Sequence, residues 1–376
     1  MTPAPANARP ANSPSDISTP SARSSRRGAR RRDASVAPFI DGTPETIGPA
    51  RNIGILLIPG FAMMSYASVI EPLRASNALS GHELYRVQYV TLTGEPALSS
   101  SGATIEPTFR VGDPVEFDIL LICAGGNPAA FHDKKLDNWL RRLALTPTIL
   151  GGVSGGAYML ARAGLLNGFR CTIHWEHMPV FREEFPQIDV RRTLFEIDRN
   201  RWTCAGGIAP LDLLFAMIEK DHGHALAVAV GDWLLQTEVR LGGRPQRMSM
   251  QQRYQIKHPK LLHALELIEH HIEDPIGRDE IASIVELSVR QLERLFRSHL
   301  GLSFRDHYIA VRLEQAQRLL RQSALSIAEI AVATGFINSS HFARVYRTSF
   351  GHSPTDERQF LSCKHAANAP AALLMS

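Results

Sequence analysis

The sequence predicts an α/β domain, a parallel sheet flanked by helices, followed by an all-α domain with two helix-turn-helix units. Three observations lead there. Between residues 51 and 240, short β-rich apolar runs alternate with helical patterns, the signature of a parallel sheet covered on both faces. Between 279 and 351, one helix-turn-helix pattern occurs twice. At 151–156, "GGVSGG" is a strand turning sharply into a helix, and Gly152 to Gly156 fits G-x-S-x-G, the nucleophile elbow of serine hydrolases.

Along the chain, residues 1–50 come first. They are rich in Pro, Ser, Ala and Arg and nearly lack large apolar side chains, so a disordered basic tail is expected. Seven Arg against Asp16 and Asp33 give residues 1–36 a charge of +5, which leaves −1 for the rest of a chain whose net charge is +4. The basic balance therefore describes a tail, which adds weak, salt-sensitive DNA affinity or is merely a solvated extension. "RRGARRR" has no apolar segment behind it and does not read as a secretory signal.

In the 51–240 domain, "NIGILLIPG" is a buried strand ended by Pro-Gly. "SYASVIEPLRASNAL" is a helix despite Pro72, and "YRVQYVTLTG" alternates as a strand. "FDILLICAGG" is a second buried strand, "KKLDNWLRRLAL" an amphipathic helix, and "TILGGVSGGAYMLARAGLL" a strand, turn and helix. Ligands sit at the carboxyl ends of such strands, where Gly60, Gly125, Gly126 and the 151–156 turn fall. Residues 241–257 are Gly- and Gln-rich and read as a linker. A helical pattern runs from 258 to 361, and 362–376 is expected to fray.

The totals set bounds. A chain of 376 residues with 44% hydrophobic content suggests two or three domains with sizeable cores. No apolar run reaches the roughly 18–20 residues of a membrane span, so no membrane partner is expected. Cys123, Cys171, Cys204 and Cys363 form no C-x-x-C pair and read as reduced thiols in a cytoplasmic protein. His222 and His224 read as part of a helix–helix turn, and His270 and His271 as surface residues. No metal and no cofactor is expected.

The repeat is the most specific signal. "DEIASIVELSVRQLERLFRSHLG" (279–301) aligns with "AEIAVATGFINSSHFARVYRTSFG" (328–351), at an offset of 49 that becomes 50 after one extra residue in the second turn. Leu292 then matches Phe342, Phe296 matches Tyr346, and Gly301 matches Gly351. Ser288 with Gln291, and Ser326 with Glu329, have capping-box spacing. "FRDHYIAVRLEQAQRLL" between the copies is a helix long enough to hold them apart. Helix-turn-helix units place their second helix in the DNA major groove. Arg290, Arg294 and Arg297 share one face of the first such helix, and Ser340, Arg344 and Arg347 match them in the second. Arg pairs with guanine or phosphate, and Ser, Gln291 and His341 also read base edges.

Two such units joined by a long helix and ending in "GHSPTDER" (351–358) resemble the AraC/XylS DNA-binding domain over about 258–361. Glu357 stands where that family often has tyrosine. The resemblance implies that the recognition helices enter successive major grooves. It marks Ser288, Arg290, Gln291, Arg294, Arg297, Ser339, Ser340, His341, Arg344 and Arg347 as the DNA-binding set.

The elbow, Glu71 and "TIHWEH" at 172–177 resemble the class I glutamine amidotransferase-like fold, the ThiJ/PfpI superfamily, over about 52–240. Enzymes of that group carry a cysteine at the elbow, a glutamate from the first helix and a following histidine; here those positions read Ser154, Glu71 and His174. A serine needs a well-placed base, and the late region that supplies histidine in α/β-hydrolases is spent here on DNA binding. A former active site kept as a sensor pocket follows, with Glu71, Gly125, Gly126, Ser154, Gly155, His174 and Trp175 as ligand-binding residues and none catalytic. Backbone N–H groups at the elbow suit a carboxylate. Trp175, Tyr158, Tyr66 and Phe61 form either a cation–π wall or core. Glu71 pairs with a ligand cation or is a buried hydrogen-bonded carboxylate.

"GLLNGFRCTIHWEH" and "FPQIDVRRTLFEIDRNRWTCAGGIAPLDLLFAMI" look like the bacterial regulators of glycine betaine, carnitine and arginine catabolism. The expectation is a ligand-responsive, sequence-specific transcriptional regulator, an activator of amine or amino-acid catabolism genes and not an enzyme. Its partners would be promoter DNA, a small amino-acid-like or quaternary-amine metabolite, RNA polymerase and a second copy in a homodimer. The alternative is a bifunctional enzyme-regulator using Ser154 for hydrolytic or aldehyde chemistry.

Overall fold

The computed structural model describes residues 48–323 and 325–359. The expected basic tail, apart from its last three residues, the frayed end and Cys363 lie outside the described residues.

The first domain is built on a seven-stranded sheet. In chain order it comprises β1 (Arg51–Leu57), α1 (Met63–Ser80), β2 (Tyr85–Thr91), β3 (Ala97–Leu98), β4 (Thr104–Ile105), β5 (Phe109–Arg110), β6 (Ile119–Ala124), α2 (Lys134–Leu143), β7 (Ile149–Ser154), α3 (Ala157–Arg162), β8 (Arg170–Cys171), α4 (Met178–Glu184), β9 (Asp189–Val190), β10 (Phe195–Asp198), β11 (Arg201–Cys204), α5 (Ala209–His222) and α6 (His224–Trp233). The sheet order is β10-β11-β7-β6-β1-β2-β5. Its pairs are parallel except β10 with β11, an antiparallel edge.

The central strands are apolar on both faces because helices cover both. Ile53, Ile55 and Leu57 of β1 pack with Val69, Leu73, Leu213 and Val230 from α1, α5 and α6. Leu56, Leu120 and Ile122 face Leu136, Trp139, Leu160 and Phe181 from α2, α3 and α4. Because β1, β6, β7 and β11 run parallel, the chain leaves all four at one end of the sheet. That brings 58–61, 124–126, 154–156 and 204–207 together.

The stretch 241–257, expected as a linker, holds α7 (Met250–Tyr254), begun by a Ser249–Gln252 capping box, and the buried Ile256. Gln246 Nε2 donates to Thr172 Oγ1 (3.0 Å), Ile173 O (2.9 Å) and Thr193 O (2.8 Å), which ties this stretch to the first domain.

The second domain is all helical: α8 (Pro259–His270), α9 (Arg278–Ile284), α10 (Val289–Leu300), α11 (Phe304–Gln322), α12 (Ile327–Ala333) and α13 (Ser339–Phe350), with a further helical turn at 354–359. α9 and α12 are offset by 49 and α10 and α13 by 50, as the repeat predicts. Ser288 and Ser326 form the expected capping boxes, and Gly301 and Gly351 end their helices with left-handed backbone (φ 71° and 79°). α11, 19 residues and so about 28 Å long, separates the two units. Each recognition helix is anchored by the predicted pair, Leu292 with Phe296 and Phe342 with Tyr346, all fully buried.

Candidate ligand pocket and DNA-binding surface

At the elbow Ser154 takes a left-handed backbone (φ 58°), the sharp turn between strand and helix. Glycine is needed around it. A Cβ on Gly156 would lie 2.0 Å from Ile122 O, one on Gly152 2.5 Å from Ala157 N, and one on Gly206 2.5 Å from Ser154 Cβ. Ser154 is 6% exposed, and its hydroxyl makes no hydrogen bond among the described residues. The elbow's first two N–H groups are already used: Gly155 donates to Ala124 O (3.1 Å) and Gly156 to Val153 O (3.0 Å). They do not wait for a carboxylate, which corrects the expectation for Gly155. The nearby thiols are buried and held in the protonated form. Burial pushes Cys204 up to about 12 and Cys123 higher still.

His174 is half-buried and desolvation lowers its pKa. Its Nδ1 lies 3.4 Å from the Glu176 backbone N and 3.8 Å from the Glu176 carboxylate. No hydrogen bond joins it to Ser154 among the described residues.

Glu71 is corrected. It lies on α1 with its side chain 38% exposed, in an ion pair with Arg74 at 2.7 Å. The α1 residue that reaches the elbow is Ser65, which is buried and accepts the Gly207 N–H at 2.8 Å, next to the Gly206 that packs on Ser154. The first helix is tilted so that Ser65, Tyr66, Val69 and Leu73 face inward; Glu71 falls off that stripe. The spacing 65, 69, 72, 73, 76 of small and apolar residues held that signal.

Gly125 is a packing glycine, since a Cβ there would lie 2.7 Å from Gly60 O. Gly126 (φ 62°) and Gly207 (φ 59°) face open space at the mouth of the elbow. Phe61, Tyr66 and Tyr158 are core rather than wall; Tyr158 packs edge-on against Phe181 at 5.0 Å. Trp175 is the largest departure. Arg247 lies over its ring at 4.5 Å and Arg318 at 5.6 Å. A ring so occupied is not an open wall for a ligand cation. It instead borders a cleft of about 680 Å³ between the first domain, the 245–254 stretch, α8 and α11.

The residues expected to meet DNA divide by their surroundings. Arg290, Arg294 and Arg297 on α10 are exposed, as are Ser339, Ser340, Arg344 and Arg347 on α13. None of these five arginines pairs with an acid among the described residues; Glu293, the acid within α10, is held by Arg278. Ser288 is exposed and forms the expected capping box: its hydroxyl accepts the Gln291 N–H (3.2 Å), while Gln291 Oε1 accepts the Ser288 N–H (2.8 Å). Ser288 is therefore a cap, and Gln291 keeps only its amide NH2 for a base edge. His341 is half-buried against Phe336, with ring centroids 5.8 Å apart. Glu357, in the place of the usual tyrosine, closes the second unit through Arg321 Nε (2.7 Å), Tyr346 Oη (3.1 Å) and His352.

A mostly parallel α/β domain with a serine elbow, carried with paired helix-turn-helix units that present unpaired arginines, defines a DNA-binding regulator. Comparisons agree. Residues 51–220 match the DJ-1/PfpI family and residues 281–359 a helix-turn-helix domain family. The chain is 42% identical over 310 residues to the HTH-type transcriptional regulator GlxA of Rhizobium meliloti, covering 82% of this chain and 96% of that one. It is 37% identical to GbdR of Pseudomonas aeruginosa (85% and 88%) and to ArgR of the same species (82% and 93%). The chain belongs to this family of AraC-type transcriptional regulators with an N-terminal DJ-1/PfpI domain.

Proposed function

We propose that the chain is a non-enzymatic, ligand-responsive activator that works in the cytoplasm as a homodimer. Its first domain binds a small amino-acid-like or quaternary-amine metabolite, and its second brings RNA polymerase to promoters of amine or amino-acid catabolism genes. The isolation of Ser154 carries the non-enzymatic reading. A serine hydroxyl is a weak nucleophile without an adjacent base, and among the described residues His174 makes its contacts with Trp175, Glu176 and His177 rather than with Ser154. The resemblance to regulators of betaine, carnitine and arginine catabolism supplies the ligand class. The open backbone at Gly126 and Gly207 is the entry side.

The signal passes through the 172–177 loop. His174 and Trp175 are neighbours in that loop, and Trp175 holds Arg318 of α11, the helix between the two DNA-binding units. A ligand that repositions the loop shifts the population of arrangements of those units.

The test is the melting midpoint of the full chain with glycine betaine, dimethylglycine, carnitine or arginine, since a ligand of the folded state raises it by mass action. One compound should raise it and be recovered unchanged. A midpoint that does not move with any of them removes the ligand class. Turnover that disappears in Ser154→Ala removes the non-enzymatic reading. In Trp175→Ala the same compound should still raise the midpoint but fail to induce a promoter reporter.

A further inference from the structure

The two turns before the recognition helices differ by one residue, and the structure identifies it. The N–H of Leu287 donates to Ala282 O and that of Phe336 to Ala331 O, both at 2.8 Å. Both links match at an offset of 49, so Phe336 is the structural counterpart of Leu287. The helix caps, Ser288 and Asn338, match at 50. The residue between, Ile337, has no counterpart in the first unit.

Ile337 is 91% exposed, the most exposed large apolar side chain among the described residues. A residue just before an N-cap usually packs back on the fourth residue of its helix. Leu287 follows that pattern, resting on the core that contains Leu292. In the second unit Phe336 covers Phe342 instead, with ring centroids 5.2 Å apart. Ile337 is thus displaced from the helix it precedes. It stands beside Asn338, Ser339 and Ser340, at the end of α13 that meets base edges when a recognition helix enters the major groove.

We infer that Ile337 is a specificity residue that packs on the C5-methyl of a thymine in the half-site read by α13. The thymine methyl is the apolar group that base edges offer in the major groove. An exposed isoleucine at the helix entry gains by covering it. Burying one methyl-sized group supports about a fourfold preference. This inference rests on the DNA-binding reading of α13.

The experiment uses the full chain and a site selected from a random DNA pool. If no sequence is enriched, the reading of α13 fails before Ile337 is questioned. On the selected site, each thymine of the α13 half-site is replaced in turn by deoxyuridine, which removes only the methyl. Wild type should lose about fourfold in affinity at one position. Ile337→Ala should lose about as much on the thymine site and be indifferent to deoxyuridine there, with an unchanged melting midpoint. Ile337→Val should keep most of the preference. Equal losses on thymine and deoxyuridine at every position overturn the inference. So does an Ile337→Ala chain that binds DNA as wild type does while activating transcription poorly, because Ile337 would then face a protein.

Discussion

The first helix-turn-helix unit closes its turn with Leu287 and presents three arginines, at 290, 294 and 297. The second closes it with Phe336, adds Ile337, and presents Ser340, Arg344 and Arg347. Buried positions keep their register across the two copies while exposed ones drift in charge and size. A buried change alters packing density on all sides, whereas an exposed one alters only what the unit can touch. The duplicated scaffold therefore exposes two different surfaces, three arginines on the first unit and Ile337, Ser340, Arg344 and Arg347 on the second.

Removing a buried ring is the harshest way to break the comparison. Phe296→Ala and Phe342→Ala should each cost about 3–5 kcal/mol. The first unit's core, with Leu265, Ile281 and Tyr308, is separate from that of the second, with Leu320, Ile330 and Tyr346. Amide hydrogen exchange should show each variant opening its own unit while the other stays protected. Simultaneous loss of protection in both would make them one cooperative body.

Surface arginines give the next contrast. Arg294→Ala and Arg344→Ala should each weaken DNA binding by about 1–3 kcal/mol if the side chain holds a base. Each should relax sequence preference only in its own half-site. A loss spread evenly over all sequences, with a shallower salt dependence, would reassign that arginine to phosphate. Binding selections with base-scanned sites separate the two.

The same contrast explains what could be read in advance. Leu292, Phe296, Phe342 and Tyr346 were legible because burial enforces period and volume, and the Ser288 and Ser326 caps because their partners lie three residues away. Alternating strands and helices revealed the α/β layers. The antiparallel β10 was not foreseen, since four residues hold too little pattern to give a direction. At the elbow the turn itself was legible, but its neighbours were not. Whether Glu71 or Ser65 turns toward the 206–207 loop beside Ser154 depends on how α1 lies on the sheet. Likewise the partners of Trp175, Arg247 and Arg318, are 72 and 143 positions away, and no local pattern links them.

The turns also differ in backbone cost. At the left-handed position the first unit has Glu286 (φ 52°) and the second Gly335 (φ 73°). Glu286→Gly should relieve part of the roughly 1–2 kcal/mol that this conformation costs an L-residue. Greater freedom of the unfolded chain offsets some of it, for a net gain below about 1 kcal/mol. Gly335→Ala should lose at least as much as that, because its Cβ would also lie 2.5 Å from Ile272 O. Melting midpoints of the two variants should move in opposite directions.

The gentlest contrast is with pH. His307, at the start of α11, is buried against Phe296 and Tyr254 in the first unit, and desolvation holds its pKa below the ordinary 6.5, outweighing the pull of Glu269. His352 in the second unit is raised, chiefly by its hydrogen bond to Glu357, with Asp356 adding to the pull. The signs are opposite. The folded state binds a proton on His307 less readily than the unfolded chain, so that contribution is whole above 6.5 and falls as pH drops toward the folded value. His352 binds its proton more readily when folded, so its contribution is present below 6.5 and is lost as pH rises through the raised value. The His352 pair is solvent-screened and should contribute the smaller share. Lowering pH from 7.5 to 5.5 should therefore loosen the first unit and slightly tighten the second, seen as hydrogen exchange corrected for its intrinsic pH dependence. In His307→Gln the response of the first unit should disappear while that of the second persists. A first unit that still loosens on acidification in that variant would move the titrating group elsewhere.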